Sequence, residues 1–403
     1  MDDKSSKDQI ISQPDREEGG DLAASGIRSI RDLIDRVTGR NLQDFDQGDA
    51  GYADQWPFPF LAIVGQQEMK LGLILTLINP NVGGVLLVGP RGTGKTTAVR
   101  SLIDLMPYIY ESNCYYGCME EDVEIGGVEA LCPNCAEKFA RGEPLSSLRP
   151  AKLVELPLNA ELEDVLGTID EKGGTHARHR VKRGILSHAD KNILYIDEVN
   201  LLKDEVVDVI LDAAAQGSYT VRRGQFAASY RSRFTLVGTM NPEEGSLRPQ
   251  ILDRFGLRLI VDGLEGLDQR YEAYKLARAY MINPRRVVDL YADETMLARD
   301  EILAARELLP EVEISDDVSK AGLQMISDLG IASLRAEITL FEAARAMAAA
   351  DSRKLVSLDD LNQIALMALR LRRSQFMEDY FEEQQSEEKE IRSLLKSEHA
   401  GEE

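Results

Sequence analysis

The sequence predicts an α/β fold in which a parallel sheet is followed by an all-helical region. Three short apolar runs, GGVLLVGP, NILYIDEVN and RFTLVGTMNP, have the length and flanking residues of buried strands. Helical patterns such as DEVVDVILDAAAQ separate them, and strands that alternate with helices form parallel sheets with helices on both faces. After about residue 265 the spacing of apolar residues is helical and no strand pattern remains.

Composition limits the function classes that the chain can belong to. The 403 residues, 43% of them hydrophobic, predict two folded domains with a substantial core. No apolar run approaches the roughly 20 residues that span a bilayer, and the acidic start MDDKSSKDQI is unlike a secretory or transit signal, so we expect a cytoplasmic protein without a membrane span. The net charge of −22 disfavours nucleic-acid binding, because a duplex-binding surface must neutralise phosphates.

The distribution of charge and periodicity predicts four regions. Residues 1–55 form an acidic N-terminal arm in which GIRSIRDLIDRV gives one amphipathic helix. Residues 56–265 form the α/β core, with an insertion at 112–137 that contains every cysteine. Residues 266–375 form a helical domain, and residues 376–403 form an acidic tail.

A basic stretch, HARHRVKRG, lies inside the predicted core. We interpret it as a solvated loop, and the alternative is a contact for an acidic partner. Its histidines, His176 and His179, and the later His188 are interpreted as solvated or partner-facing and not as metal ligands.

The segment GPRGTGKT predicts a phosphate-binding loop. It matches G-x-x-x-x-G-K-[ST] and lies between a predicted strand and a predicted helix, as this motif requires. Backbone N–H groups and the helix N-terminus would face the phosphates, Lys95 would reach the β and γ phosphates of ATP, and the Thr96 hydroxyl would bind Mg²⁺. A glycine-rich turn that matches by chance is disfavoured, because the strand, the lysine and the threonine are all present. The predicted nucleotide-binding residues are Gly89, Pro90, Arg91, Gly92, Thr93, Gly94, Lys95, Thr96 and Thr97.

Polar residues that follow the other two strands predict the rest of the site. ILYIDE ends in Asp197 and Glu198, of which the first can hold Mg²⁺ and the second can polarise the attacking water. Asn241 ends the third strand and can orient water near the γ phosphate. Arg254 follows, and an arginine there can stabilise charge on a γ phosphate held by a neighbouring subunit. The alternative for Arg254 is a salt bridge with Asp253.

Four cysteines in one short insertion predict a metal site. Cys114 and Cys118 are spaced C-x3-C, and Cys132 and Cys135 are spaced C-x2-C. Four thiolates suit a tetrahedral structural Zn²⁺, and structural disulfides are rare in a cytosolic protein. Redox-active or free thiols and an iron–sulfur cluster are the alternatives. The set does not suit Mg²⁺, which demands oxygen ligands.

The order of these motifs resembles the AAA+ ATPases. VGTMNPEEGSLRPQILDRFG, ILYIDEVNLL, FPFLAIVGQ and LRAEI are more specifically similar to the I subunit family of magnesium chelatase, over about residues 58–373. The resemblance implies an AAA+ P-loop NTPase core with a helical lid, and ATP with Mg²⁺ as cofactors. It makes Asn241 the sensor at the γ phosphate, Arg254 the arginine that acts on a neighbouring subunit, and Arg335 the lid arginine that senses nucleotide.

The resemblance also implies partners. The family forms homo-oligomeric, hexameric rings and works with a D subunit and a porphyrin-binding H subunit to insert Mg²⁺ into protoporphyrin IX, the first committed step toward (bacterio)chlorophyll. Two features depart from the family: Ser333 stands where glycine is usual, and VRRGQFAASYRSRF replaces the usual hairpin sequence. The alternatives are a related AAA+ motor of cobalt-chelatase or MoxR type, and a DNA-remodelling AAA+ protein, which the acidic charge disfavours.

Overall fold

The computed structural model of the chain describes residues 56–114, 116–170, 180–223, 226–245 and 247–372. The predicted N-terminal arm with its helix, His176 and His179 of the basic stretch, and the predicted acidic tail lie outside these residues.

Eleven strands are present in the described part of the chain, and five of them form one parallel sheet. The order in this sheet is β11-β1-β10-β7-β4, and the other six strands form the antiparallel pairs β2–β3, β5–β6 and β8–β9. The strands are β1 (Val85–Val88), β2 (Ile109–Ser112), β3 (Ser146–Arg149), β4 (Leu153–Leu156), β5 (Gly167–Asp170), β6 (Arg180–Arg183), β7 (Ile193–Ile196), β8 (Ser218–Arg223), β9 (Phe226–Arg231), β10 (Thr235–Met240) and β11 (Leu257–Ile260).

The central strands are buried on both faces, as strands in a parallel α/β sheet must be. Every residue of β1, β7 and β10 is buried. These are the three strands that the sequence predicted, so the α/β class is confirmed. Strands β4 and β11, which form the two edges of the sheet, were not predicted from the sequence. Each carries a charged residue, Glu155 in β4 and Arg258 in β11, that interrupts its apolar run.

Fourteen α-helices surround or follow the sheet in the described ranges. They are α1 (Gln67–Ile78), α2 (Lys95–Ser101), α3 (Glu120–Gly126), α4 (Pro133–Ala140), α5 (Leu162–Leu166), α6 (Ile185–His188), α7 (Asp204–Gln216), α8 (Pro249–Arg254), α9 (Leu267–Ile282), α10 (Pro284–Leu290), α11 (Ala292–Leu308), α12 (Asp316–Asp328), α13 (Leu334–Ala350) and α14 (Leu358–Leu369). From α9 to residue 372 the chain is helical apart from one isolated bridge, Glu313 with Leu355. None of the described helices has both the length and the apolar character that crossing a lipid bilayer requires.

The chain divides into two compact units. One contains residues 264–296 with the described part of residues 1–65, and its apolar core includes Ala62, Val287 and Tyr291. The other contains residues 66–263 and the described part of residues 297–403. The predicted boundaries at 55, 265 and 375 stay a prediction.

The core of the larger unit places α7 against the sheet. The apolar stripe of α7 includes Val207 and Ile210, and it packs in one cluster with Leu86 of β1, Leu194 of β7 and Leu236 of β10. This packing fixes the three central strands relative to one another, so residues that follow their carboxyl ends occupy defined positions.

Candidate active site

The predicted nucleotide residues meet at the carboxyl edge of the parallel sheet. The phosphate loop follows β1, Asp197 and Glu198 follow β7, and Asn241 follows β10. Because β10 lies between β1 and β7, the three strand ends are neighbours. Ligands of open parallel sheets bind at this edge. The cleft here measures about 310 Å³ and is lined by Arg91, Gly92, Thr93, Gly94, Lys95, Thr96, Thr97, Asp197 and Glu198.

Two glycines permit the path of the phosphate loop. A side chain on Gly89 would collide with the carbonyl of Val261, which follows the neighbouring strand β11. Gly94 has a φ of 87°, in the left-handed region that glycine adopts without strain, and α2 begins directly after it. The loop therefore passes close to the sheet and continues directly into α2. The backbone N–H groups at the start of this helix are of the kind that bind phosphates.

Lys95 is held at the floor of the loop. Its ammonium group donates hydrogen bonds to the carbonyls of Gly89, at 2.6 Å, and Pro90, at 2.8 Å. Burial lowers its pKa, while the nearby carboxylates of Glu198 and Asp197 act in the opposite direction. The lysine is therefore already positioned beside the loop, with donors that can turn to phosphate oxygens.

Asp197 and Thr96 belong to one hydrogen-bond network. Asp197 Oδ1 accepts from the Thr239 hydroxyl at 2.6 Å and from the Tyr195 hydroxyl at 2.8 Å. The Tyr195 hydroxyl is also 3.3 Å from Thr96 Oγ1. A carboxylate and a hydroxyl are thus brought close together, and oxygen ligands of this kind are those that Mg²⁺ prefers.

Glu198 is fixed by its backbone as well as its side chain. Its φ of 50° is unusual for a residue other than glycine, and its N–H donates to Thr239 Oγ1 at 3.1 Å. Its carboxylate accepts the Asn241 N–H at 3.0 Å. Burial and the neighbouring carboxylate of Glu244 raise its pKa. A carboxylate with a raised pKa is suited to accept a proton from water.

Asn241 is buried, and its side chain is held at both ends. Its Oδ1 accepts the Glu243 N–H at 3.2 Å, and its Nδ2 donates to Glu244 at 3.0 Å. Glu244 also pairs with Arg91 of the phosphate loop, and this contact holds the pKa of Glu244 below its usual range. Glu244 therefore connects the loop after β10 to the phosphate loop.

Three residues of this network escaped the sequence analysis: Tyr195, Thr239 and Glu244. Tyr195 belongs to β7 and Asp197 is the first residue after it, and the period of two that holds along a strand explains why their side chains meet on one side of the sheet. Thr239 is the polar residue of an otherwise apolar strand end, TLVGTM. A search for polar residues near the carboxyl ends of buried strands would have found both.

Arg254 does not line the cleft of its own chain. Its guanidinium donates to the carboxylates of Asp208 and Asp212 on α7, at 3.1 and 2.9 Å, and to the Asp208 carbonyl at 3.2 Å. The alternative pairing of Arg254 with Asp253 is therefore wrong. Adjacent residues at the end of α8 project to different partners, and Asp253 contacts residues near the C-terminal end of the described chain.

The predicted lid arginine, Arg335, lies 3.9 Å from the Asp253 carboxylate and is half exposed. The same carboxylate accepts from Ser333 at 3.0 Å and from the buried Arg372 at 2.9 Å. Ser333, one of the departures from the family pattern, thus makes a specific contact. Arg335 therefore contacts the residue that precedes Arg254 in the chain, and the roles of both arginines stay predictions.

The four cysteines are brought together outside the nucleotide cleft. Their sulfur atoms all lie within 4.8 Å of one another. The grouping that the spacing predicted is therefore present.

The residues at the cleft fit ATP and Mg²⁺. The buried ammonium of Lys95 and the N-terminus of α2 supply positive charge where phosphates would lie. Thr96 and Asp197 supply oxygen ligands linked through Tyr195. No soft ligand lies among the residues that line the cleft.

A parallel sheet in this order, with a phosphate loop after β1, an acidic pair after β7 and an asparagine after β10, defines an AAA+ P-loop ATPase. The family model "Magnesium chelatase, subunit ChlI" matches residues 169–250, and the AAA lid domain model matches residues 325–394. The chain belongs to the ChlI subunit family of magnesium chelatase, because it is 45% identical over 326 residues to the "Magnesium-chelatase subunit ChlI homolog" of Methanocaldococcus jannaschii, covering 80% of this chain and 87% of that protein.

A plant protein and a chain of a solved complex give further matches. The chloroplastic magnesium-chelatase subunit ChlI of Glycine max is 41% identical over 359 residues, which cover 88% of this chain and 84% of that protein. A solved structure of the complex between subunits BchI and BchD of magnesium chelatase contains a chain of 36% identity. The alignment covers 80% of this chain and 98% of that chain, with a TM-score of 0.44.

Proposed function

We propose that this chain is the ATPase motor subunit of a magnesium chelatase, and that it couples ATP hydrolysis to the insertion of Mg²⁺ into protoporphyrin IX in (bacterio)chlorophyll biosynthesis. One observation carries the proposal. The phosphate loop, the Asp197–Glu198 pair and Asn241 meet at one sheet edge, in a chain that is 45% identical to a ChlI homologue over most of its length. ATP hydrolysis needs these groups together.

Each residue of the cleft has a proposed role in hydrolysis. The phosphate loop and Lys95 bind and orient the β and γ phosphates, and Thr96 with Asp197 holds the nucleotide's Mg²⁺, which neutralises phosphate charge. Glu198 accepts a hydrogen bond from the attacking water and takes its proton, a role that its raised pKa favours. Asn241, fixed by Glu243 and Glu244, orients that water.

Arg254 is proposed to act on a neighbouring subunit, and Arg335 is proposed to act within its own subunit. Arg254 contacts α7 in its own chain and is absent from the lining of its own cleft. We propose that it leaves these acids and stabilises the γ phosphate bound by a neighbouring copy, in a hexameric ring. Arg335 senses the nucleotide of its own chain and reports its state through the contacts of Asp253.

The proposed partners and cofactors follow from the family. A D subunit joins the ring and an H subunit holds the porphyrin, so the Mg²⁺ that is inserted is a substrate and is distinct from the Mg²⁺ bound with ATP. The proposed cofactor set is ATP and Mg²⁺ at the phosphate loop and one structural Zn²⁺ at the four cysteines.

Reconstitution tests which reaction the ATPase drives. The chain is mixed with competent D and H subunits, ATP, Mg²⁺ and protoporphyrin IX, and Mg-porphyrin fluorescence is recorded beside phosphate release. We expect both signals, and we expect neither from Lys95→Ala. Phosphate release without Mg-porphyrin would reject the magnesium chelatase assignment, and would favour a related AAA+ motor of cobalt-chelatase or MoxR type. Light scattering with and without ATP tests the ring.

A further inference from the structure

We propose that Cys114, Cys118, Cys132 and Cys135 bind one structural Zn²⁺, and that this ion holds a segment with little core of its own against the base of the β8–β9 pair. The segment, Asn113 to Leu145, leaves the fold at the end of β2 and returns at the start of β3, and we call it the cysteine excursion. This site is separate from the nucleotide cleft and from the proposed ATPase function.

The arrangement of the sulfur atoms fits a tetrahedral metal. Cys114 Sγ is 3.7 Å from Cys118 Sγ and 3.7 Å from Cys132 Sγ, and all four sulfurs are mutually within 4.8 Å. A tetrahedron with Zn–S bonds of about 2.3 Å has edges of about 3.8 Å. The four sulfurs form one cluster instead of two separate pairs, as one shared ion requires.

Backbone N–H groups orient two of the sulfurs. The Tyr116 N–H points to Cys114 Sγ at 3.2 Å, and the Cys132 N–H points to Cys118 Sγ at 3.4 Å. Ser112 supports the same turn, because its hydroxyl accepts the Cys114 N–H at 3.2 Å and donates to the Cys118 carbonyl at 2.7 Å. Such contacts around ligands hold a metal site in shape and stabilise thiolate charge.

The described residues of the excursion offer only a small apolar core to replace the metal. Its two helices, α3 and α4, are short, and the apolar cluster that they help to form contains the four cysteines together with Leu131 and Leu145, which are buried, and Val123 and Ala136 at its margin. Half of the cluster is therefore the ligand set itself. Segments of this size usually need a metal or disulfides to fold, and the free energy of metal binding then becomes folding free energy.

Ion pairs attach the excursion to the ATPase core. The Glu121 carboxylate lies 3.4 Å from the cationic groups of Lys191, Arg231 and Arg233, and Asp122 pairs with Arg231. Arg231 ends β9 and Arg233 precedes β10. Arg231 also interacts electrostatically with Cys118, one of four thiolates that would give a Zn²⁺ site a net negative charge. Loss of the ion would release α3 and thereby remove acidic partners from the base of the β8–β9 pair.

The four thiolates are unsuited to Mg²⁺, the ion that the proposed enzyme would insert. Thiolates are soft ligands, whereas Mg²⁺ is hard and keeps oxygen ligands or water. The cluster should therefore hold its ion permanently and take no part in Mg²⁺ transfer.

Metal analysis of the full chain is the first test. We expect one zinc per chain in the purified protein, loss of zinc in Cys132→Ser, and retention in Asn134→Ser, an exposed residue between two of the ligands. Replacement of zinc by Co²⁺ should give the visible absorption of a tetrathiolate site. Absence of zinc from wild-type protein that cannot be loaded with Zn²⁺ under reducing conditions would overturn the proposal, and so would an iron–sulfur chromophore.

Hydrogen exchange tests the attachment. Cys132→Ser should exchange faster in the excursion and in β8–β9, while ATP binding shows that the rest of the chain is folded. Glu121→Gln should keep its zinc and exchange faster in β8–β9 alone. Unchanged exchange in β8–β9 for both variants would refute the bracing role and leave zinc content as a separate result.

Discussion

The nucleotide cleft and the cysteine excursion both gather residues that are far apart in the chain, but they rest on different supports. The cleft stands on the ends of β1, β7 and β10, whose residues are all buried. The excursion is held by its cluster of four sulfur atoms and by ion pairs at its edge. A buried sheet preorganises a site before its ligand arrives, whereas a small cluster of ligands depends on the metal that it binds. Damage to one region should therefore leave the other intact.

Arg254 is held in a third way, which differs from the support of both the cleft and the excursion. Its guanidinium is held by Asp208 and Asp212 of α7, so its environment in one chain is an ordinary surface ion pair. Contacts of this kind contribute little to stability, about 0–1 kcal/mol. A second copy could therefore draw the arginine away at low cost.

The largest effect is expected for Arg254→Ala. An arginine that acts on the γ phosphate of a neighbour contributes about 10³–10⁵ in kcat. We expect a loss of this order with ATP affinity nearly unchanged, measured by phosphate release and nucleotide binding. The matched control is Arg248→Ala, which removes a neighbouring arginine that pairs with Asp204 of α7.

Mixing gives a second measure of the same residue. Arg254→Ala and Glu198→Gln chains, each inactive, should regain part of the wild-type rate together, because some interfaces would combine an intact cleft with an intact arginine. A full loss in Arg248→Ala, or the absence of any loss in Arg254→Ala, would contradict the assignment of Arg254 to a neighbouring site.

Glu198→Gln is expected to lower kcat by about 10²–10⁴, the usual contribution of a general base. The amide keeps the shape of the side chain and can remain beside the Asn241 N–H, so ATP binding should be retained. Phosphate release and ATP binding measure the two effects, and Glu205→Gln, an exposed acid at the start of α7, is the control. Normal turnover in Glu198→Gln would mean that another group activates water.

The sequence predicted the parts of the cleft that are local in the chain. The phosphate loop and the Asp197–Glu198 pair each lie within a few residues, and the three buried strands that carry them are continuous apolar runs. Thr239 could not be assigned in the same way, because its contact with Asp197 depends on the pairing of β10 with β7, in which Val237 lies beside Tyr195. The sequence alone does not state that register.

Long-range packing also explains which contacts the sequence did not reveal. Arg254 was weighed against a pair with its neighbour Asp253, yet the packing of α8 on α7 supplies Asp208 and Asp212 instead. The cysteines were grouped correctly because metal ligands have recognisable spacing. Their attachment through Lys191, Arg231 and Arg233 was missed, since exposed charges carry no signal of which partner they will meet.

Lys95→Ala sharpens the contrast between the cleft and the excursion. Removing one member of a buried charged contact costs about 2–5 kcal/mol, which corresponds to about 30-fold or more in ATP affinity. Binding of a fluorescent ATP analogue measures the loss, and Arg100→Ala, on the same helix but paired with Glu155 at the surface, is the control. Zinc content should not change. Loss of zinc in Lys95→Ala would show that the two regions are coupled.

The smallest effect concerns Glu244, which belongs to the cleft but lies on a loop. Glu244→Gln weakens the hold on Asn241 and Arg91, and we expect kcat to fall by about fivefold or less. Its pH dependence is more informative. Glu198 must be deprotonated to accept a proton, so kcat/KM should fall as pH drops through its pKa, which burial and the negative charge of Glu244 raise.

Removing that negative neighbour lowers the pKa of Glu198, so the acid limb of kcat/KM should move to lower pH in Glu244→Gln. Glu243→Gln, an exposed neighbour that contacts Asn241 only through its backbone N–H, should leave the limb in place. A limb that stays fixed in Glu244→Gln would mean that Glu198 does not set it. A shift in both variants would indicate a general change of charge instead of a specific contact, and the loop after β10 would then be only a scaffold for Asn241.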